Sequence, residues 1–139
     1  MVQLIIGDKG KGKTKQLLDK VNLSIKSAAG NIVYLDKSSK HMYDLNNKVR
    51  LIDVSEYRLA NCDEFVGFVF GLISQDHDIE EIYFDGFRVI AKLEWQDITA
   101  TIERMEAISL AFNINFVISV SATEAEIPDT LKDRIIMSL

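Results

Sequence analysis

Val2-Gln3-Leu4-Ile5-Ile6-Gly7-Asp8-Lys9-Gly10-Lys11-Gly12-Lys13-Thr14 is the stretch whose reading decides the fold. Its apolar run Leu4-Ile5-Ile6 reads as a buried strand. Gly7 to Thr14 then fits G-x-x-x-x-G-K-[ST] at every fixed position. A helical pattern follows at once, with Leu17, Leu18 and Val21 on one side. Strand, glycine loop and helix in that order distinguish a phosphate-binding loop from a glycine-rich turn with solvated lysines.

The residue types follow from what a polyphosphate needs. Its negative charges must be wrapped by backbone N–H donors, and glycines let the amides turn inward. The expected contact stretch is Gly7, Asp8, Lys9, Gly10, Lys11, Gly12, Lys13, Thr14 and Lys15. The next helix begins near Lys13 and adds its positive dipole end. Lys13 is expected to reach the β- and γ-phosphates, and the Thr14 hydroxyl to bind Mg²⁺. Lys9 and Lys11 read chiefly as surface charges that raise the local potential.

The chain has 139 residues, enough for one domain spanning 1–139 with a real core. Its apolar share of 47% rules out a disordered chain. A net charge of −5 argues against a general nucleic-acid coat. Cys62 is the only cysteine, so no internal disulfide forms, and His41 and His77 add no metal motif. The longest apolar run, Phe65 to Ile73, is too short for a bilayer. With a strand opening at residue 2, no signal peptide is expected, and the expected location is the cytoplasm.

Residues 13–28 read as a helix stopped by Gly30 in a left-handed cap. Ile32 to Leu35 form a buried strand ending at Asp36, completing a βαβ unit and hence a sheet that is at least partly parallel. Lys37 to Lys48 is polar. His41-Met42-Tyr43 within it reads as a turn packed under the sheet, with base stacking as the alternative. Val49 to Val54 is a weaker strand carrying charges, expected at an edge. Asp63 to Ile73 reads as a buried helix, with Gly67 and Gly71 packed closely on the sheet.

Ile82-Tyr83-Phe84-Asp85 is the second decisive stretch: a buried strand with an acid at its C-terminal end, where open α/β sheets hold ligands. Asp85 is expected to hold Mg²⁺ opposite Thr14. Leu93 to Phe112 reads as one amphipathic helix with Ile98, Ile102, Met105 and Phe112 on one side. Trp95 is expected to plug the core edge. Phe116 to Ser121 is the next buried strand, with Ser119 and Ser121 facing one way. Ser121 is a candidate γ-phosphate or water sensor, or else a small core residue. A break at Pro128, a short turn and a last strand, Arg134 to Met137, close the chain.

These three stretches, 7–14, 82–85 and 116–121, resemble the P-loop NTPases, with a Walker A loop and a Walker B acid. An extra strand between the loop strand and the Asp85 strand is similar to the additional-strand, RecA-like group. More closely, the chain resembles small standalone clostridial P-loop proteins often labelled twitching-motility ATPases. The resemblance implies an α/β three-layer sandwich with a mainly parallel central sheet and a RecA-like core. It also implies ATP and Mg²⁺ as cofactors. That group normally carries a glutamate beside the metal-strand aspartate or at the end of the strand after the first helix. Here Gly86 follows Asp85, and Glu56 and Asp36 are the substitutes.

The leading expectation is a slow ATPase acting as a nucleotide-dependent switch or minimal motor core. Lys13, Asp36, Glu56 and Ser121 are its candidate catalytic residues, and an arginine comes from a protein partner or a homo-oligomer, with Arg58 and Arg134 as donors. A non-catalytic nucleotide sensor is the alternative. A small-molecule kinase fits less well, because no arginine-rich lid segment is visible.

Overall fold

Six short apolar runs become strands: β1 (Val2–Gly7), β2 (Asn31–Asp36), β3 (Arg50–Asp53), β4 (Ile79–Phe84), β5 (Asn115–Ser121) and β6 (Ile135–Ser138). The helices are α1 (Lys13–Ser24), α2 (Cys62–Gln75), the single turn α3 (Phe87–Ile90) and α4 (Ile98–Phe112). The computed structural model describes all 139 residues. The strands form one sheet in the order β3-β2-β4-β5-β1-β6, and every pairing is parallel. Parallel strands need crossovers; α1, α2 and the α3–α4 segment supply three of them, and the 37–49 loop joins the neighbours β2 and β3.

Side-chain alternation sorts the two faces. Leu4, Ile6, Leu35, Phe84, Ile118 and Val120 pack on the side covered by α2, α3 and α4. Ile5, Tyr34, Tyr83 and Val117 pack on the other side, against Leu17 and Val21 of α1 and Leu45 and Val49 of the 37–49 loop. The result is a three-layer α/β sandwich. Period two also decides where the polar strand ends go: Asp36, Asp85, Ser119 and Ser121 continue the α1 face. β3 is an edge strand, as its charges suggested, and pairs only with β2. β6 closes the opposite edge beside β1.

Several local expectations are corrected. α1 ends at Ser24 with Ile25 in ordinary right-handed geometry, so Gly30 is not its left-handed cap. Gly30 is demanded by close approach instead: a Cβ there would lie 2.1 Å from the Asp78 carbonyl oxygen. Gly67 and Gly71 are exposed, with nothing within 4 Å of a Cβ at either. The α2 stripe that meets the core is Phe65, Val66, Val69, Leu72 and Ile73. The 93–112 segment is not one helix. Lys92 adopts a left-handed φ of 52°, a 3-10 turn spans Trp95–Asp97, and α4 starts only at Ile98. Phe112 is exposed and meets Phe70 edge-on at 6.2 Å rather than entering the core. Trp95 does plug the core edge, with the Arg88 guanidinium 4.5 Å above its ring. No helix is long and apolar enough to cross a membrane.

Candidate phosphate and metal site

The Gly7–Thr14 loop links β1 to α1 at the C-terminal ends of the central strands. Gly10 and Gly12 have φ of 86° and 97°, a region that side chains oppose and glycine does not. No side chain caps the α1 N-terminus, and no acidic residue stands in its first turn. Its amides and dipole therefore remain available to an anion.

Lys13 is buried and its Nζ donates to the Asp8 carbonyl at 3.1 Å. It has no carboxylate partner within ion-pair distance. Burial pushes its pKa down, the charges of Asp85 and Asp8 oppose that, and Lys37 adds to it. A desolvated ammonium of this kind gains from an incoming anion. Lys9 and Lys11 are exposed, and Lys15 pairs with Asp19 at 2.7 Å on the α1 surface.

Asp85 stands just past β4 and is buried. Its Oδ1 accepts a hydrogen bond from the Thr14 hydroxyl at 3.2 Å, and its Oδ2 accepts one from the Tyr34 hydroxyl at 2.7 Å. Ser119 fixes the turn that follows: its hydroxyl accepts from the Gly86 N–H at 2.8 Å and lies 3.4 Å from Asp85 Oδ1. Tyr34 stacks on Tyr83 with ring centroids 6.1 Å apart, which holds its hydroxyl on the carboxylate. Burial, then the Asp85 charge, drive the Tyr34 pKa far above its ordinary value, so it stays a donor.

Asp36, at the end of β2, is only 2% exposed. Its Oδ1 accepts from the Lys37 N–H at 2.7 Å, while its Oδ2 is buried without a hydrogen-bond partner. Burial and then the Asp85 charge raise its pKa. An orphaned buried carboxylate oxygen is costly unless a ligand, metal or water completes it.

The other candidates separate. Ser121 pairs with Gly7 across the β5–β1 ladder, so it borders the loop, and its carbonyl accepts from Arg88 Nη1 at 2.8 Å. Glu56 lies on an exposed 3-10 turn, Val54–Tyr57, beyond edge strand β3, and makes no hydrogen bond to any site residue. Arg58 follows that turn. Arg134 precedes β6, where its Nη1 donates to the Thr130 carbonyl at 3.2 Å. His41 lines a groove of about 450 Å³ beside the loop together with Thr14, Lys15, Leu18 and Asp44, whereas Tyr43 is 91% exposed.

Tyr34 and Arg88 were not singled out from sequence. Tyr34 carried a usable signal, since it sits two residues before Asp36 and shares its face. Arg88 carried none.

No group of three or more His, Cys, Asp or Glu side chains is clustered to hold a metal by itself. A magnesium ion shared with phosphates needs no such cluster, because phosphate oxygens and water fill most of its positions; the Thr14 hydroxyl and the Asp85 carboxylate are the protein oxygens that would complete it. No family model matches the chain, and no curated protein matches it significantly.

Proposed function

We propose that the chain binds Mg²⁺–ATP at the 7–14 loop and hydrolyses it slowly, as a nucleotide-dependent switch or minimal motor core. The observation that carries this reading is the pair of incompletely partnered buried charges around Asp85. Lys13 has only a carbonyl, Asp36 Oδ2 has nothing, and both lie within electrostatic reach of Asp85. A triphosphate with its metal supplies the anion that the first lacks and the water that the second lacks.

In this reading the loop amides and the Lys13 ammonium cradle the β- and γ-phosphates. Thr14 and Asp85 would hold Mg²⁺, whose charge would offset that on the transferring group. Tyr34 and Ser119 keep the Asp85 carboxylate in place. Asp36 accepts a proton from, or orients, the attacking water through its free oxygen. Asp36 is favoured over Glu56 because it is buried and within the field of Asp85, while Glu56 is exposed and makes no hydrogen bond to a site residue. Ser121 borders the phosphate end through its pairing with Gly7. The sheet order supports the additional-strand reading, since β5 lies between the loop strand β1 and the Asp85 strand β4.

A non-catalytic sensor is the second reading, favoured by Gly86 standing where the resembling group carries a glutamate. Thermal melting with Mg²⁺–ATP, Mg²⁺–GTP, the diphosphates and no nucleotide tests binding. A ligand at about 100 times its Kd adds about 2.7 kcal/mol, which is several degrees for a domain of this size. No shift with any nucleotide at millimolar concentration overturns the proposal.

A further inference from the structure

We propose that a second anion site, separate from the 7–14 loop, lies in the cavity lined by Lys37, Arg58 and Lys92, and that it takes a phosphate dianion, either free or borne by a small organic molecule. The cavity is about 120 Å³, the scale of one phosphoryl group and a few further atoms. Its apolar side is Val54, Leu59, Val89 and Ile90, and its remaining lining residue is Ser55. No carboxylate lines it, although the chain carries 21 acidic against 16 basic residues.

None of the three cations has an ion-pair partner, and none of their side chains makes a hydrogen bond within the chain. All three are exposed residues on the rim of this cavity, and a dianion bound there gains from three cations of one sign. Asp53, the nearest strand-end acid on β3, makes no ion pair with any of them. Its Oδ1 accepts from the Ser55 N–H at 3.0 Å and from the Ser55 hydroxyl at 2.6 Å. The neighbouring cleft of about 880 Å³ is different in kind. It shares Val89 and Lys92 but is also lined by Asp63, Glu94 and Asp97, and its arginines are engaged: Arg104 with Asp63 at 2.8 Å, and Arg88 with Ser121 and Trp95.

The three cations come from separate segments. Lys37 follows β2, Arg58 follows the turn after β3, and Lys92 follows α3. Only the tertiary fold brings them to one cavity, at the carboxyl ends of the strands where such sheets take ligands. Arg58 presents a planar fork suited to phosphate, and the two lysines add point charges. Lys37 also adjoins the first site. Its N–H donates to Asp36, and its Cδ would sit 3.9 Å from a Cβ on Gly86. The inference does not rest on the ATP reading.

Titration of the full chain followed by amide chemical shifts tests it, with Lys13→Ala present so that the loop competes little. The probes are inorganic phosphate and, separately, propyl phosphate. Saturable shifts at residues 55–59 and 89–92, at least tenfold weaker in Arg58→Gln and in Lys92→Gln, are expected. Equal affinity for the two probes makes free phosphate sufficient, and tighter propyl phosphate assigns an organic phosphate that uses the apolar wall. Shifts confined to residues 8–15 overturn the second site and leave the loop reading standing. Non-saturating shifts spread over exposed lysines such as Lys20, Lys26 and Lys48 also overturn it. If the 55–59 and 89–92 shifts occur while unmutated protein shows no nucleotide-dependent melting shift, the ATP reading falls and this site stands.

Discussion

The Thr14 hydroxyl lies 3.2 Å from Asp85 Oδ1, across 71 residues of sequence. The helix start after β1 and the end of β4 meet there although β5 separates the two strands in the sheet. A hydroxyl and a carboxylate in direct contact are a closed pair, and a cation between or beside them would take over the contact. Asp85→Asn is therefore expected to abolish the metal-dependent part of ATP stabilisation. Melting temperatures with ATP should then be the same with and without Mg²⁺, an apparent loss of at least tenfold in affinity. Tyr34→Phe should cost about 1.5–3 kcal/mol in the unliganded protein, since it removes a hydrogen bond to a charged group.

Asp36 yields a pH prediction whose sign is fixed. Its folded-state pKa lies above the ordinary 3.8. Between the two values the native state holds more protons than the unfolded chain, so stability falls as pH rises from 3.8 through the folded value. Above that window the penalty of the buried charge is fully present. Asp36→Asn removes it and places an amide beside the Asp85 carboxylate. The variant should melt several degrees higher than the natural protein at pH 7, and the gap should shrink as pH falls toward 4. Hydrolysis should drop at least tenfold in Asp36→Asn and stay unchanged in Glu56→Gln. Equal loss in both variants would move the water-orienting role away from Asp36.

The glycines make predictions of opposite sign. Gly12 sits at φ 97° with open space around it, so Gly12→Ala meets only backbone strain, about 1–2 kcal/mol. Gly67 sits mid-helix on the exposed side of α2 with nothing within 4 Å. Gly67→Ala should therefore stabilise by about 0.5–1 kcal/mol. Gly30→Ala should be the most damaging of the three, because its Cβ would meet the Asp78 oxygen at 2.1 Å. Denaturant midpoints at constant slope measure all three.

Lys13→Ala should weaken triphosphate binding by tenfold or more with little change in unliganded stability. Its one hydrogen bond is to the Asp8 carbonyl, and its ammonium is already disfavoured by burial. Isothermal titration against ATP, paired with a melt of the free protein, separates the two. A variant that fails to fold would assign Lys13 a structural role.

Purified protein alone should turn ATP over far below the roughly 10 s⁻¹ typical of enzymes. The glycine loop, the Thr14–Asp85 pair and one unpartnered carboxylate oxygen are present, but Arg88 is held by Ser121 and Trp95. An arginine supplied from outside is worth about 10³–10⁵ in known phosphoryl-transfer systems. Single-turnover hydrolysis across protein concentrations should accelerate if a second copy donates it. Fast turnover at every concentration would show that no outside donor is needed.

Sequence alone determined the elements that carry local signals. The Gly7–Thr14 loop, the apolar runs of β1, β2, β4 and β5, and the acids that end β2 and β4 were legible because backbone geometry and strand alternation act over a few residues. The edge position of β3 was legible too, from its charges. Local pattern failed where packing, not propensity, chose. Gly30 answers to the Asp78 carbonyl just before β4, the 93–112 segment opens as a 3-10 turn at Trp95–Asp97 so that α4 starts only at Ile98, and Phe112 finds Phe70 outside the core.

Only the tertiary structure decided which residues meet. It set Tyr34 and Ser119 on Asp85, left Asp36 Oδ2 buried without a partner, and left Glu56 exposed. It also gathered Lys37, Arg58 and Lys92 around one cavity. The physical reason is the parallel sheet. Its order β3-β2-β4-β5-β1-β6 brings strand ends from distant parts of the chain side by side. Contact, burial and electrostatic reach between those ends depend on that order and not on sequence spacing.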